Sequence, residues 1–576
     1  MDHLPHLHCT KLTKVSLLFL SCLPTMAFAD RMHADAGESL AIRQELSPPQ
    51  SQLKQSALLQ AMRIVNLSAP SDQRKDNSAT RRQHALHAGT PIQIGISRSL
   101  QQPLIALSRL HWQRTLQGKH VAAIEITSAQ AQQLRAKLGL FSVGKQTIDW
   151  STLKLRFSGK NSPIITRLGT DFTPDHAGWS PLIEGETLRI EIELPTHLRP
   201  EQIRLHIPLL SHIDGLPTNN PAALTKSSDQ TTCLLDVMCR SDATQGFKNA
   251  VNASVKMIFT EDNGGTYLCS ATLIDNSFSP KKPLLWTAAH CIHDDKTAET
   301  LVTLWFYNST ACNQDSINPS SVTLQNGAWL RYTSTAIHED ATLLELKEAP
   351  PAGAYYAQWN NQPITDIGTA VTGIHHPGGK TTQYSLGALD QLDTTFGETV
   401  HLYRFVFYQG QIEGGSSGSG IFTMNSNGEY ELRGALTGGT SASCGSADIN
   451  QAGLYSKFSD MFDKTNGYLI KNDGFSGNFS ASCEKMMLDG SILKARCQNL
   501  SGNWVDSRID LNAHIINHYG DLSWQENGNY KMTSSACVVH QQTLHCDAQD
   551  GQGNAPTSFI NLDEHITNDN GSLEYL

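Results

Sequence analysis

The sequence predicts an all-β domain in the middle of the chain, preceded by a mixed α+β segment and followed by a mainly β repeat. From about residue 233 to 465, short alternating apolar runs are separated by Gly, Asn and Pro, a pattern typical of antiparallel strands. Cysteine is absent from residues 30–226, whereas ten cysteines lie between 233 and 546. At 576 residues the chain is long enough for about three or four folding units, so this step in composition marks a domain boundary.

Residues 1–29 have the features of a signal peptide. Lys11 and Lys14 precede an apolar stretch, and Ala27-Phe28-Ala29 offers small residues around a cleavage point. The apolar stretch is too short to span a bilayer, and no later stretch reaches about 20 apolar residues. We therefore expect a secreted protein without a membrane span. An uncleaved anchor is the alternative.

The cysteines and the charge restrict the classes of partner. In an exported chain, ten remaining cysteines are expected to form disulfides. A zinc site is the alternative, but the sequence has no CxxC and no His/Cys cluster at ligand spacing, so we predict no metal and no cofactor. Charged residues make up 17% of the chain and the net charge is -10. Nucleic acid is not expected as a partner, because it would require a basic face.

Residues 30–226 mix predicted helices and strands. Helices are expected around Ser51–Val65 and Ser128–Leu138, and strands at Thr187–Leu194 and Gln202–Pro208. The segment ends in a polar stretch rich in Asn, Pro, Ser and Lys, which we expect to be exposed and easily cut.

Three motifs follow one another in the order His, Asp, Ser. The first is Leu285-Trp-Thr-Ala-Ala-His290-Cys291, where a strand ends at a histidine beside a cysteine. In the second, Asp340 immediately precedes an apolar strand. The third is Gly414-Gly-Ser-Ser417-Gly-Ser-Gly420, whose glycines permit a tight turn. Alone, a Ser/Gly run is usually a flexible loop and an Asp before a strand is usually a cap, but together the motifs predict a catalytic triad.

Each predicted residue meets a chemical need. A serine hydroxyl is a poor nucleophile until a base removes its proton. We predict Ser417 as nucleophile, His290 as the base that later protonates the leaving amine, and Asp340 as the group that orients the imidazole and stabilises its cation. The N–H groups of Gly415 and Ser417 are the predicted oxyanion hole, each worth about 3–4 kcal/mol of barrier. The order of the three residues is that of the chymotrypsin-type arrangement.

Residues 227–465 resemble the bacterial lysyl endopeptidases, a branch of the trypsin-like serine proteases. Besides the triad, the resemblance rests on the cysteine spacing and on three motifs: Asp340-Ala-Thr-Leu-Leu-Glu-Leu, Gly373-Ile-His-His-Pro377 and Gly415-Ser-Ser-Gly-Ser419. It implies a chymotrypsin-like double β-barrel that hydrolyses peptide bonds in proteins or peptides. It also implies the disulfides Cys233–Cys444, Cys239–Cys312 and Cys269–Cys291, the last of which brackets the His290 loop.

His375 and His376 are adjacent on a predicted strand. Adjacent strand residues point to opposite faces, so a structural role is expected for them, with ligand binding as the alternative.

One substitution bears on activation. Trypsin-like zymogens commonly switch on when a new N-terminal amine pairs with an aspartate just before the nucleophile, and this chain has Ser416 there. Residues 30–226 are therefore interpreted as a propeptide that assists folding or blocks the site. Cleavage after Lys226 would be consistent with self-processing.

The resemblance also implies a pocket that binds the substrate side chain. In lysyl endopeptidases an aspartate deep in this pocket binds lysine, and Asp448 is a candidate here, although a solvated loop aspartate is the ordinary interpretation. A lysine preference is a hypothesis at this point. The candidate pocket residues are Gln411, Thr437, Gly438, Asp448 and Gly453.

The last hundred residues contain a two-fold tandem repeat. Ile509-Asp-Leu-Asn returns as Ile560-Asn-Leu-Asp, 51 residues later. Each copy follows a close cysteine pair, Cys483–Cys497 and Cys537–Cys546, for which disulfides are expected. Each half is predicted to be too small to fold without the other.

Residues 475–576 resemble the cyanovirin-N homology domains, small lectins with two pseudo-symmetric halves. The resemblance implies binding of mannose-type glycans in a shallow polar pocket at each end, because planar amide and carboxylate groups can bridge adjacent hydroxyls. The candidate residues at one end are Asn478, Gln498, Asn568, Asp569 and Asn570, and at the other Asn517, Asn527, Asp547 and Gln549. A lectin scaffold that has lost one or both sites is the alternative.

The sequence thus predicts a signal peptide, a propeptide, a serine endopeptidase, a linker at residues 466–474 and a lectin domain. The hypothesis is an endopeptidase that its C-terminal domain delivers to glycoproteins. The alternative is a carbohydrate-binding adhesin whose protease domain is an inactive scaffold.

Overall fold

The computed structural model describes residues 62–71, 89–115, 118–144, 147–160, 162–173, 178–215, 233–314, 316–334, 339–397, 399–440, 451–470, 478–499, 503–525 and 527–575. The predicted signal peptide, Lys226, Cys444 and Asp448 lie outside these ranges.

The N-terminal domain is built from strands. They are β1 (Met62–Leu67), β2 (Ile92–Ser99), β3 (Leu104–Ala106), β4 (Gln113–Arg114), β5 (His120–Ser128), β6 (Gln133–Ser142), β7 (Lys154–Ser158), β8 (Ile165–Leu168), β9 (Gly178–Trp179), β10 (Ile183–Glu184), β11 (Thr187–Leu194), β12 (Ile203–His206) and β13 (Leu209–Ile213). One sheet has the order β1-β5-β11-β7-β8 and a second contains β2-β13-β6-β12-β3. The strand prediction at 187–194 is confirmed, and that at 202–208 is confirmed over Ile203–His206.

The helix prediction for Ser128–Leu138 is wrong. Those residues form the end of β5, a turn and the start of β6. Leu134, Ala136 and Leu138 are fully buried in the domain core, with the period of two that a strand requires. Residues 62–65, predicted as the end of a helix, lie in β1, which pairs in parallel with β5. The Ala, Gln and Leu content favours a helix locally, but sheet pairing and burial override that weak preference.

The described part of the middle domain contains fifteen strands and three short α-helices. They are β14 (Leu235–Asp236), α1 (Gln245–Ala253), β15 (Ser254–Thr260), β16 (Thr266–Ile274), β17 (Leu284–Thr287), α2 (Asp295–Glu299), β18 (Val302–Trp305), β19 (Val322–Leu324), β20 (Ala328–Thr333), β21 (Thr342–Leu346), β22 (Gln358–Trp359), β23 (Ala370–His375), β24 (Gln383–Phe396), β25 (Thr399–Gln409), β26 (Gly420–Met424), β27 (Tyr430–Gly439), β28 (Gln451–Tyr455) and α3 (Phe458–Leu469).

These strands form two barrel-like units. Strands β18-β15-β16-β17-β21-β20 follow one another around the first. The second has the order β24-β23-β26-β27-β28-β25 and closes through the pairing of β24 with β25. The predicted double β-barrel is therefore confirmed, and closure leaves the second barrel without a free sheet edge.

The N-terminal domain continues the sheet of the first barrel. Strand β2 pairs antiparallel with β16, with Ile92 opposite Leu268. Beside this pairing, Arg135 is 3% exposed and donates to the carbonyl oxygen of Thr300 at 2.8 Å and to that of Ser180 at 3.0 Å. Burial lowers the pKa of Arg135 to about 9. The two domains thus share backbone pairing and a buried cation.

The C-terminal domain has two equivalent halves. The first comprises β29 (Cys483–Asp489), β30 (Ile492–Gln498), β31 (Trp504–Asp510), β32 (Ile515–His518) and β33 (Asp521–Trp524), and the second β34 (Ser534–His540), β35 (Thr543–Ala548), β36 (Thr557–Asn561), β37 (Ile566–Asp569) and β38 (Ser572–Tyr575). Each half is a three-stranded sheet followed by a hairpin.

The hairpins cross between the halves of the C-terminal domain. The N–H of Leu573 in the second half donates to Ser507 Oγ in the first at 2.8 Å, and the N–H of Leu522 donates to Ser558 Oγ at the same distance. One hydrophobic core contains residues from both halves. The two halves therefore complete each other, as their small size requires.

The predicted linker is shorter than expected at its N-terminal end. Helix α3 continues to Leu469, because Tyr468 and Leu469 are buried in the core of the middle domain. Beyond the helix, Arg331 Nη2 donates to Gln541 Oε1 at 2.9 Å, and Asp295 lies 3.3 Å from His545 Nδ1. The middle and C-terminal domains are thus in direct polar contact.

In the described ranges, no helix has both the length and the apolar character needed to cross a membrane.

Gly246 of α1 gives a test of how closely this helix packs against the turn at Gly428. A Cβ there would lie 2.0 Å from the carbonyl oxygen of Gly428. Alanine usually stabilises a helix relative to glycine by roughly 0.5–1 kcal/mol, but here we expect Gly246→Ala to destabilise the fold by about 1–3 kcal/mol. Thermal unfolding measures the effect, with exposed Lys248→Ala on the same helix as the control. A variant as stable as the wild type would contradict the close contact.

Candidate functional site

His290 and Asp340 meet at the ends of two paired strands. His290 follows β17 and Asp340 precedes β21, and these two strands are neighbours in the first barrel. Asp340 Oδ2 lies 2.8 Å from His290 Nδ1, while Oδ1 accepts the N–H of His290 at 2.8 Å. Asp340 is 2% exposed and has the positive φ of 40°. One buried carboxylate therefore fixes both the ring and the backbone of His290.

Ser417 lies in a turn that precedes β26 of the second barrel. Gly415 and Gly418 have φ values of 92° and 78°, which glycine adopts without strain. The N–H groups of Ser416 and Gly418 donate to Glu413 and Leu436, whereas those of Gly415 and Ser417 donate to no carbonyl oxygen of the described residues. These two groups are the ones predicted for the oxyanion hole.

Ser270 of β16 connects the two barrels at this point. Its N–H donates to the carbonyl oxygen of Ser417 at 2.8 Å, and its hydroxyl donates to that of Gly415 at 2.9 Å. The same hydroxyl accepts the N–H of His376 at 3.1 Å. Sequence reasoning missed Ser270, although it directly follows Cys269 of the predicted disulfide beside His290.

The serine hydroxyl and the imidazole do not yet share a hydrogen bond. Ser417 Oγ is buried and has no hydrogen-bond partner among the described residues. His290 Nε2 instead lies 3.7 Å from Cys291 Sγ. In serine hydrolases this contact often tightens only when substrate is bound.

Cys269, His290 and Cys291 form a compact group of the kind that can bind a metal ion. The two sulfur atoms, however, are 2.05 Å apart in a disulfide. Since zinc binds cysteine as thiolate, this group does not fit a metal site.

The disulfides in the described part are Cys239–Cys312, Cys269–Cys291, Cys483–Cys497 and Cys537–Cys546. These are pairs that the sequence analysis expected. Cys233 is disulfide-bonded as well, and its expected partner Cys444 lies outside the described residues.

Most of the candidate pocket residues come together. Thr437 and Gly438 lie on β27 and Gly453 on the adjacent β28. A Cβ at Gly453 would lie 2.8 Å from the rings of Phe407 and Tyr455, so only glycine fits there. Gln411 is 8% exposed, on the loop that reaches these strands. Asp448 lies outside the described residues.

Gln451 supports the loop beside the candidate pocket, and sequence reasoning missed it. Its side chain accepts the N–H of Ile412 at 2.6 Å and donates to the carbonyl oxygen of Ile412 at 2.8 Å. It is 1% exposed and fixes the loop that carries Gln411 against β28. No sequence signal distinguishes this amide from other polar residues.

His375 and His376 occupy different surroundings, as expected of neighbours on a strand. His375 Nδ1 lies 2.8 Å from Ser416 Oγ, whereas His376 Nδ1 lies 3.4 Å from the carbonyl oxygen of Lys380. Burial lowers the pKa of each imidazole to about 3, and the nearby Lys256 cation adds to the effect at His376. Both rings are neutral.

Lys256 is a buried cation near the nucleophile turn. Its Nζ donates to the carbonyl oxygen of Gly379 at 2.6 Å and lies 4.1 Å from the centre of the Tyr307 ring. Burial lowers its pKa to about 7.

In the C-terminal domain, Asn568 and Asn517 have structural roles. Asn568 Nδ2 donates to Ser482 Oγ and to the carbonyl oxygen of Gln498, both at 2.8 Å, and its Oδ1 accepts the N–H of Gly571. Asn517 makes the equivalent bonds in the other half. Their amide groups hold turns and are already occupied.

The other candidates are distributed around these turns. Gln498, Asp569 and Asn570 are exposed beside Asn568. Asn478 forms a bridge with Thr567 on the same side of the domain. At the opposite end, Asp547 Oδ1 accepts the hydroxyl of Thr557, while the N–H groups of Gln549 and Asn527 donate to backbone carbonyl oxygens.

The buried histidines give a pH test. Because the pKa of His376 is lowered to about 3, only the unfolded chain gains this proton between about pH 6.5 and pH 3. Stability is therefore lost as the pH falls through that window. Lys256, with a pKa of about 7, is protonated in both the folded and the unfolded state below about pH 6, so it adds nothing to the pH dependence of stability in this window.

We expect the free energy of unfolding to fall by about 2 kcal/mol less in His376→Gln than in the wild type between about pH 6 and about pH 4.5. Urea unfolding at the two pH values measures the difference, and His375 is common to both proteins. Equal pH dependence in the two proteins would mean that His376 takes up its proton in the folded state.

Three family models match the chain. They are the lysyl endopeptidase N-terminal domain over residues 66–214, the lysyl endopeptidase C-terminal domain over 227–456 and the CVNH domain over 479–574. Among solved structures, a CVNH protein of T. borchii is 30% identical over 17% of this chain and 98% of its own, with a TM-score of 0.16. The protease Anisep of Arthrobacter nicotinovorans is 15% identical over 38% and 97%, with a TM-score of 0.28.

A lysyl endopeptidase of Pseudomonas aeruginosa strain PAO1 is 38% identical over 385 residues, which are 66% of this chain and 82% of the relative. The chain therefore belongs to the lysyl endopeptidase family of serine endopeptidases and has a C-terminal CVNH domain.

Proposed function

We propose that the protein is a secreted endopeptidase that cleaves peptide bonds with His290, Asp340 and Ser417 as its triad. The observation that carries the proposal is the 2.8 Å contact between the buried Asp340 carboxylate and His290 Nδ1, at strand ends of the barrel beside the Ser417 turn. With Nδ1 protonated and held, Nε2 is the nitrogen free to take the proton of Ser417.

The catalytic cycle follows from this arrangement. Ser417 Oγ attacks the substrate carbonyl carbon while His290 takes its proton, and the resulting oxyanion accepts hydrogen bonds from the N–H groups of Gly415 and Ser417. His290 then protonates the leaving amine. Water repeats the sequence on the acyl-enzyme and releases the acid, which restores the serine.

Residues 30–226 act in this proposal as a propeptide. The pairing of β2 with β16 and the buried Arg135 support a role in folding of the first barrel. Gly89, which precedes β2, lies against the Phe396 ring, and a Cβ there would be 3.7 Å from the carbonyl oxygen of Thr437. The segment thus reaches the wall of the candidate pocket, which supports blockage of the site before cleavage.

The substrate preference proposed is lysine on the amino side of the cleaved bond. Membership of the family supports it, and Asp448 is the candidate partner of the lysine ammonium. The CVNH domain is proposed to bind mannose-type glycans and to bring glycoproteins to the protease. Its direct polar contacts with the middle domain, through Arg331 and Asp295, support a fixed placement of the two activities.

Digestion of a denatured protein mixture tests the protease. We expect the mature enzyme to cut after lysine and Ser417→Ala to make no cuts, as read by mass spectrometry. Asp340→Asn is expected to lower kcat by about 10⁴-fold, because the imidazole would be held in the wrong tautomer.

The matched control is Glu339→Gln, the same change one residue earlier. Glu339 lies 3.6 Å from Lys464 and has no contact with His290 in the described residues, so activity is expected to stay within about twofold. Cuts at other residue types would refute the lysine preference alone. Absence of any Ser417-dependent cutting would refute the endopeptidase.

Glycan binding is tested on the exposed candidates. We expect Gln498→Ala and Asp569→Ala each to weaken binding of a mannose oligosaccharide about tenfold, because each loses hydrogen bonds to sugar hydroxyls. Calorimetry measures the affinity, and Asp489→Ala, at a turn and paired with Lys494, is the control. Wild-type protein that binds no mannose oligosaccharide would contradict the targeting proposal and leave the protease untouched.

A further inference from the structure

The turn that carries Ser417 is anchored by a buried polar chain that contains no charge. Ser416 and His375 are both completely buried. Ser416 Oγ lies 2.8 Å from His375 Nδ1, and His375 Nε2 lies 2.9 Å from Ser385 Oγ. Three side chains therefore run in line from the nucleophile turn into β23 and β24 of the second barrel.

A neutral imidazole satisfies the hydrogen bonds of this series of side chains. A neutral ring donates through one nitrogen and accepts through the other, and each serine hydroxyl can do either. Ser416 Oγ also accepts the N–H of Glu413 at 3.3 Å. Burial, which lowers the pKa of His375 to about 3, keeps the ring neutral at physiological pH.

The neighbouring backbone is held in the same way. The N–H of Gly378 donates to the carbonyl oxygen of Gly414 at 2.7 Å, and Ser270 holds the carbonyl oxygens of Gly415 and Ser417. With these carbonyl groups fixed, the N–H groups of Gly415 and Ser417 are left to face the substrate. Among these contacts, Ser416 is the residue of the turn that contributes its side chain.

We propose that His375 is the positioning residue of the active site. Its neutral hydrogen bonds take the place of the ion pair that a new N-terminal amine forms when trypsin-like zymogens are activated. The inference rests on the proposed function and specifies how the nucleophile turn is held. Ser416, His375 and Ser385 all belong to the second barrel, and they are in contact while the residues upstream of 227 are still attached. The turn is therefore formed before cleavage and independently of any new amine.

The test uses the mature enzyme with His375→Phe and His375→Gln. Phenylalanine keeps the buried aromatic volume and removes both hydrogen bonds, whereas glutamine retains one donor and one acceptor. We expect His375→Phe to lower kcat by about 10²-fold or more with KM changed less than about threefold, since misplacing an oxyanion donor affects the transition state. His375→Gln is expected to recover at least about tenfold of that loss.

Ser416→Ala provides a second, smaller change if His375→Phe does not fold. It is expected to lower kcat in the same direction, and the double variant should lose no more than the worse single variant, because both act through one contact. His376→Gln, on the adjacent buried ring, is the control and should retain the wild-type kcat.

Carbamylation of the N-terminal amine tests the other half of the inference. Near neutral pH cyanate reacts with the α-amine, whose pKa is about 7.7–8.0, before exposed lysine amines near 10.4, and Lys256, whose pKa is lowered, is buried away from the reagent. The blocked enzyme is expected to keep its kcat within about twofold.

A large loss of activity on blocking would overturn the inference, as would His375→Phe and Ser416→Ala with unchanged kcat. Either result would come from an active wild-type enzyme that depends on Ser417, so it would leave the proposed function standing. An inactive wild type would instead refute the proposed function itself.

Discussion

Ser270 is the residue through which the two barrels share one site. From β16 it holds the backbone of the Ser417 turn in the second barrel, while its neighbour Cys269 is bonded to Cys291 beside His290. A site divided between two barrels depends on their alignment, since reacting groups must be placed within fractions of an ångström. A buried serine with three such hydrogen bonds, one from its N–H and two at its hydroxyl, fixes that alignment better than apolar contact, because hydrogen bonds are directional.

Buried polar groups recur around the site and hold its geometry through hydrogen bonds. Asp340, Ser416, His375 and Lys256 are all hidden from solvent, and each has at least one close polar partner. In a medium of low dielectric constant an unpaired polar group costs several kcal/mol, so departures from this arrangement are strongly disfavoured. Burial lowers the pKa values of His375 and Lys256, and neither side chain forms an ion pair in the described residues. The region therefore carries little permanent charge.

The N-terminal domain covers an edge of the first barrel, because its strand β2 pairs with β16. Strand β16 would otherwise offer backbone groups at Thr266–Leu268, and β2 occupies them. Exposed strand edges attract other strands, and β2 covers this one. Removal of the segment would free the same edge. The strand that covers this edge and the Gly89 contact near Thr437 belong to one continuous segment.

The sequence by itself determined the all-β middle domain, the two-fold repeat and the candidate triad, because motifs and periodicity are local and carry their chemistry with them. The double barrel was implied by the family resemblance. Tertiary structure decided the rest. Residues 133–138, predicted as helix, lie in a strand, since pairing on both sides outweighs local propensity. Asn568, predicted to bind sugar, uses its amide group to hold a turn through hydrogen bonds. Ser270, Gln451 and the link from His375 to Ser416 join residues 39 to 147 positions apart, and spacing along the chain cannot reveal such contacts, because only folding brings these groups into hydrogen-bond range.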